Sequence, residues 1–189
     1  MPQPNFPFRG RQAWPRLKSG RRSGTLLAVI ERSVASAGVA VADILIVVGT
    51  ESGNAEMVAD FLSDELPPLG HAVEIASDDT AEAADLANRS VVLICTATHG
   101  DGELPDNLIP FHDSLVTTRP DLSQIRYGVI ALGDQTYAET FCQAGRVMDR
   151  LFADLGANKV GERLEIDACT QPLADEDAVE WAKEWVTFL

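Results

Sequence analysis

This sequence predicts a doubly wound α/β domain built on a five-stranded parallel sheet, and three observations predict it. Strand-like apolar runs alternate with helical apolar patterns five times between Asp43 and Leu189, which puts crossover helices on both faces of a parallel sheet. Two of the runs, Ile44–Val48 and Val91–Cys95, are apolar at every position, as strands covered on both faces must be. Loops rich in Gly, Thr and Ser follow the first, third and fourth runs. In such sheets ligands sit beyond the carboxyl ends of the strands.

The elements follow in order. The first strand, Ile44–Val48, runs through Gly49-Thr50-Glu51-Ser52-Gly53-Asn54 into a helix expected to bury Val58, Phe61, Leu62 and Leu66, with Asp60 and Asp64 outside. Pro67-Pro68 stops it. Ala72–Ala76 is a short alternating strand, and Asp79 with Glu82 has capping-box spacing for a small helix reaching Asn88. Val91–Cys95 is the central strand, with Cys95 packed as a small hydrophobe. After the loop Thr96–Asn107 comes a helix near Leu108–Thr117, then the strand Tyr127–Leu132 and a third loop, Gly133–Cys142. Val147, Met148, Leu151, Phe152 and Leu155 mark one face of the next helix, which Gly156 ends. Val160, Leu164 and Ile166 alternate as an edge strand. The acidic start at Asp175, Glu176 and Asp177 opens a last helix whose buried stripe is Trp181, Trp185 and Phe188.

Charge divides the chain. Residues 1–43 carry +5 and the remainder −19, within a total of −14 over 189 residues. An acidic body argues against nucleic acid and anionic membrane as partners and favours a basic protein surface. Residues 1–42, with Pro2, Pro4, Pro7 and Pro15 among arginines, read as a disordered basic extension, either a transit segment or the product of a misplaced start. No apolar run is long enough to span a membrane. Cys95, Cys142 and Cys169 show neither metal spacing nor a complete disulfide set, which points to a reducing, cytoplasmic setting, or to an organelle if the extension is a transit segment.

The first loop carries chemistry. It has no Gly-x-x-x-x-Gly-Lys and no Gly-x-Gly-x-x-Gly. It offers the hydroxyls of Thr50 and Ser52, the Asn54 amide and a turn at Gly53, a neutral nest suited to one terminal phosphate at a helix N-terminus. Capping of the helix alone would need the same residue types. With strand order 2-1-3-4-5 the first, third and fourth strands are neighbours, so their three loops meet around one crevice.

Together the three loops resemble those of the flavodoxin family, in particular MioC-type short flavodoxins and the FMN domains of sulfite reductase and cytochrome P450 reductase. The likeness lies in Thr50-Glu51-Ser52-Gly53-Asn54-Ala55, in Thr96-Ala97-Thr98-His99-Gly100 and in Leu132-Gly133-Asp134 with Tyr137, and it continues through Phe141-Cys142. It implies a short-chain flavodoxin-like fold over residues 43–189 and FMN as cofactor. Residues 50–55 would hold the phosphate, residues 96–100 would line one side of the isoalloxazine, and Tyr137 would stack on the other. Ala55 stands where many flavodoxins have threonine, and His99 where relatives place a larger aromatic ring. One lost neutral hydrogen bond lowers FMN affinity by up to about tenfold.

The resemblance further implies a monomeric one-electron carrier more than an enzyme in its own right, a question the residues leave open, served by an NAD(P)H-dependent flavoprotein reductase and serving a basic-surfaced acceptor enzyme. The sequence leaves no room for a nicotinamide domain after its last helix, so these partners are expected to be separate chains. An FMN-dependent NAD(P)H quinone or azo reductase is the enzymatic alternative. A phosphate-receiver domain of the same topology would need acids at Gly49-Thr50 and at Cys95-Thr96, where there are none.

Overall fold

Ile44, Ile46 and Val48 of the first strand face one way and Leu45 and Val47 the other, and each set lies in its own hydrophobic cluster. That period-two division makes this strand the centre of a two-sided core. The computed structural model describes residues 41–76 and 83–189. The predicted capping box and all but two residues of the predicted basic extension lie outside them.

The strands are β1 (Asp43–Gly49), β2 (Ala72–Ile75), β3 (Val91–Ala97), β4 (Arg126–Gly133), β5 (Asn158–Lys159) and β6 (Leu164–Asp167). Their pairings are parallel in the order β2-β1-β3-β4-β5, and β6 also pairs with β4. The helices are α1 (Asn54–Glu65), α2 (Ile109–Thr118), α3 (Gln143–Asp154) and α4 (Ala174–Trp185). Residues of α1 and α4 bury themselves in one cluster with Ile44, Leu93 and Ile130, and residues of α2 and α3 in the other with Val47, Ile94 and Val129. The sheet is therefore covered on both faces, in the predicted strand order. Among the described residues, no helix is long and apolar enough to cross a membrane.

Three details differ from the sequence reading. Phe61 is 45% exposed, because α1 faces the sheet with Ala55, Val58, Ala59 and Leu62. Phe188 is also half exposed, since α4 ends at Trp185 and the chain continues as a 3-10 turn that abandons the helical period. The fifth strand is split. Val160 N still donates to Tyr127 O (2.8 Å), but residues 161–163 leave the ladder, with Gly161 in the left-handed region (φ 69°) and Arg163 paired to Asp149 and Glu165. The pieces on either side keep their places beside β4, so the loops at the carboxyl end are undisturbed.

Candidate functional site

β1 delivers the chain to Thr50, whose Oγ1 accepts a hydrogen bond from Gly53 N (2.9 Å). Gly53 has φ 82°, a backbone state that glycine reaches without the side-chain clash other residues meet. Helix α1 begins at the next residue, and its first i→i−4 bond runs from Met57 N to Gly53 O (2.9 Å). The N–H groups of Asn54, Ala55 and Glu56 precede that bond, so they stand free of the helix's own ladder at its positive end. An anion fits there.

The second loop is bound to the first. Thr50 N donates to Asn107 Oδ1 (2.9 Å), Asn107 Nδ2 donates to Val48 O (3.1 Å), and Asp106 N donates to Glu51 Oε1 (2.6 Å). It is also bound to the elements on either side of the third, where Thr98 N donates to Leu132 O (3.1 Å) at the end of β4 and Ala144 N in the first turn of α3 donates to Thr98 Oγ1 (3.3 Å). Gly133 lets the third loop close on its own far end, since a Cβ there would lie 2.7 Å from Cys142 N. Cys142 itself adopts φ 55° and heads α3. Burial, and then the charge of Glu165, pushes its thiol up to about 12, so it is a packing group and not a nucleophile.

A cleft of about 610 Å³ opens where these loops meet, within the range of small-ligand sites. Of the predicted residues, Ser52, Asn54, Ala97, Thr98, Gly100, Leu132, Gly133, Asp134 and Tyr137 line it. The others stand around it. Thr50 and Gly53 shape the first turn, Glu51 clasps the second loop, and Ala55, Thr96 and Cys142 are buried behind the wall. His99 is exposed and closes a tight turn with Glu103, their backbones exchanging bonds of 3.0 and 2.8 Å. Phe141 is half buried against Gly133.

The sequence reading missed a fourth wall, made by Ile166 of β6, by Ala168, Gln171 and Pro172 after it and by Ala174 at the start of α4, together with Met57 and Thr140. The rule that ligands gather at carboxyl strand ends could have flagged Ala168–Pro172. This wall is tied to the third loop by Ala168 N to Gly133 O (2.9 Å) and by Gln135 N to the carboxylate of Asp167 (3.0 Å), an acid covered by its own loop near the surface. Hydrogen bonds from Gln135 N, Thr170 and Cys169 N hold Asp167 below the usual carboxylate range. Asp134 is likewise lowered by the Thr136 hydroxyl, the Cys169 thiol and Thr136 N.

The profile of the Flavodoxin family matches residues 46–181. This chain belongs to the flavodoxin family. Protein MioC of Escherichia coli O157:H7 is 37% identical over 151 residues, covering 78% of this chain and 99% of the relative. The sulfite reductase (NADPH) flavoprotein alpha-component of Vibrio parahaemolyticus is 40% identical over 132 residues, covering 69% of this chain and 21% of the relative. The solved flavodoxin of Streptococcus pneumonia TIGR4 superposes with a TM-score of 0.68 at 33% identity, covering 78% of this chain and 100% of that one. This flavodoxin is accordingly an FMN-binding electron-transfer protein.

The cleft suits that cofactor. Its end at the start of α1 offers backbone N–H groups, a hydroxyl and an amide, and its other end offers the Tyr137 ring beside Leu132 and Gly133. Among the described residues that line it there is no Lys, Arg or His, while Asp101 and Asp134 are present. A phosphate at the start of α1 would thus meet donors but no countercharge, inside a protein of net charge −14. Salt should therefore tighten binding, because it screens repulsion between ligand and protein. We expect the FMN Kd to fall severalfold as the Debye length shrinks from about 30 Å to about 8 Å, measured by fluorescence titration. A Kd that rises with salt would reveal an ion pair to the phosphate.

Proposed function

We propose that this flavodoxin is a monomeric electron shuttle of the cytoplasm. A separate NAD(P)H-dependent flavoprotein reductase reduces it, and an acceptor enzyme with a basic surface takes its electrons one at a time. Bound FMN supplies the redox chemistry. Ser52, Asn54 and the backbone of Ala55 hold the phosphate, with Thr50 and Gly53 shaping the turn and Glu51 anchoring it. Residues Ala97, Thr98, His99 and Gly100 flank the isoalloxazine on one side. Leu132, Gly133, Asp134 and Tyr137 flank it on the other, with Phe141 and Cys142 supporting them from behind.

One observation carries this reading: the Tyr137 end of the cleft is open and acid-rimmed. Tyr137 is 67% exposed, and exposed Asp101 and half-buried Asp134 line the same cleft. An open edge lets a partner protein come close, and acid around it speeds encounter with a basic face. The free thiols of Cys95, Cys142 and Cys169 suit a reducing compartment.

The test follows absorbance of the FMN-loaded protein under anaerobic conditions. NAD(P)H alone should leave the flavin oxidised over a period in which a catalytic amount of an NAD(P)H-dependent flavoprotein reductase bleaches it. Rapid bleaching by NAD(P)H alone would overturn the shuttle in favour of an FMN-dependent quinone or azo reductase.

A further inference from the structure

We infer that Asn107 is a positioning residue for the phosphate loop, holding it in binding geometry from across the cleft before any ligand arrives. The inference rests on the reading of the first loop as the phosphate site. Asn107 lies at the end of the second loop, two residues before α2, and is separated from Thr50 by 57 positions. Its side-chain amide accepts from Thr50 N (2.9 Å) and donates to Val48 O (3.1 Å). A bond in each direction to alternate backbone groups is what a neighbouring strand would provide, and here it comes on the edge of β1 where Ile46 O accepts from Ala76 N (2.8 Å), just past the last pair of β1 with β2 at Ile46 and Ile75.

The consequence passes along the chain. With its N–H held, Thr50 keeps its hydroxyl on Gly53 N (2.9 Å), and Gly53 sets the angle at which α1 presents its first three N–H groups. Without Asn107, Thr50 N and Val48 O lose their partner, and the phosphate itself must order the loop. That loss falls on recognition of the phosphate. The contacts a ring would make with Thr98, Gly133 and Tyr137 do not depend on it.

Riboflavin, which has the ring and ribityl chain but no phosphate, separates the two effects. In Asn107→Ala, FMN should bind about tenfold more weakly than in the unmodified protein, and riboflavin within about twofold of its original affinity. Asn107→Asp has almost the same volume and keeps the acceptor for Thr50 N. It cannot donate to Val48 O and adds negative charge behind the loop, so its FMN loss should be at least as large, again with riboflavin spared. If the alanine variant does not fold, as read by its melting temperature, the aspartate variant carries the test. Equal weakening of both flavins, or no weakening of either, would overturn the role of Asn107. A different result marks failure of the site reading itself: unmodified protein that binds riboflavin as tightly as FMN.

Discussion

Tyr137→Ala is expected to weaken FMN binding by about 5- to 150-fold while leaving the stability of the fold nearly unchanged. The ring is 67% exposed, so its removal opens no cavity in the core. The turn that presents it, Gln135–Tyr137, is held by Tyr137 N to Asp134 O (3.0 Å), Thr136 N to Asp134 Oδ1 (2.8 Å) and Gln135 N to Asp167 Oδ1 (3.0 Å). None of these uses the Tyr137 side chain. Stacking of an aromatic side chain on a nucleic-acid base is worth about 1–3 kcal/mol, and the flavin ring is of similar kind, which sets the expected range. Quenching of flavin fluorescence measures the affinity, and a urea midpoint measures the stability. Tyr137→Phe should bind FMN nearly as well as the unmodified protein, because it keeps the plane and loses only the hydroxyl. Binding by the alanine variant within twofold of the original would show that this ring does not contact the flavin.

The parts of the fold that were legible in the sequence are those specified within a short stretch. Ile44–Val48 and Val91–Cys95 show their burial on both faces in their own composition, and the loops after them show their Gly, Thr and Ser content directly. What the sequence concealed depends on distant partners. Phe61 stands one position from Leu62 and looked like part of the same stripe. The alanines of α1 bring that helix close to the sheet and leave Phe61 at the surface. The fifth strand alternates well from Val160 to Ile166, yet Arg163 is drawn to Asp149 and Glu165, and the strand divides around it. At the site, Asn107 spans 57 residues to reach Thr50, and no spacing rule announces that bond. The wall from Ala168 to Ala174 is similar: its composition carries no phosphate or flavin signature, and it joins the cleft because β6 pairs with β4.

Asn54→Asp should separate stability from function, moving the two in opposite directions. Asn54 is the first residue of α1, is exposed, and lines the cleft. A carboxylate there interacts favourably with the positive end of the helix, worth about 0.3–1 kcal/mol, so the melting temperature of the protein without FMN should rise by about 1–3 °C. The same carboxylate would face the phosphate. Two unit charges 4 Å apart repel by about 1 kcal/mol in water and about 4 kcal/mol at an effective dielectric of 20. A phosphate in this half-open cleft should therefore lose about 2–4 kcal/mol, or about 30- to 1000-fold in FMN affinity. Riboflavin has no phosphate to repel and should bind within about twofold of its original affinity. These signs distinguish an anion site from a helix cap. If Asn54 only opened the first turn of α1, aspartate would serve equally well, raising stability and leaving FMN binding unchanged, and that result would place the phosphate away from the start of α1.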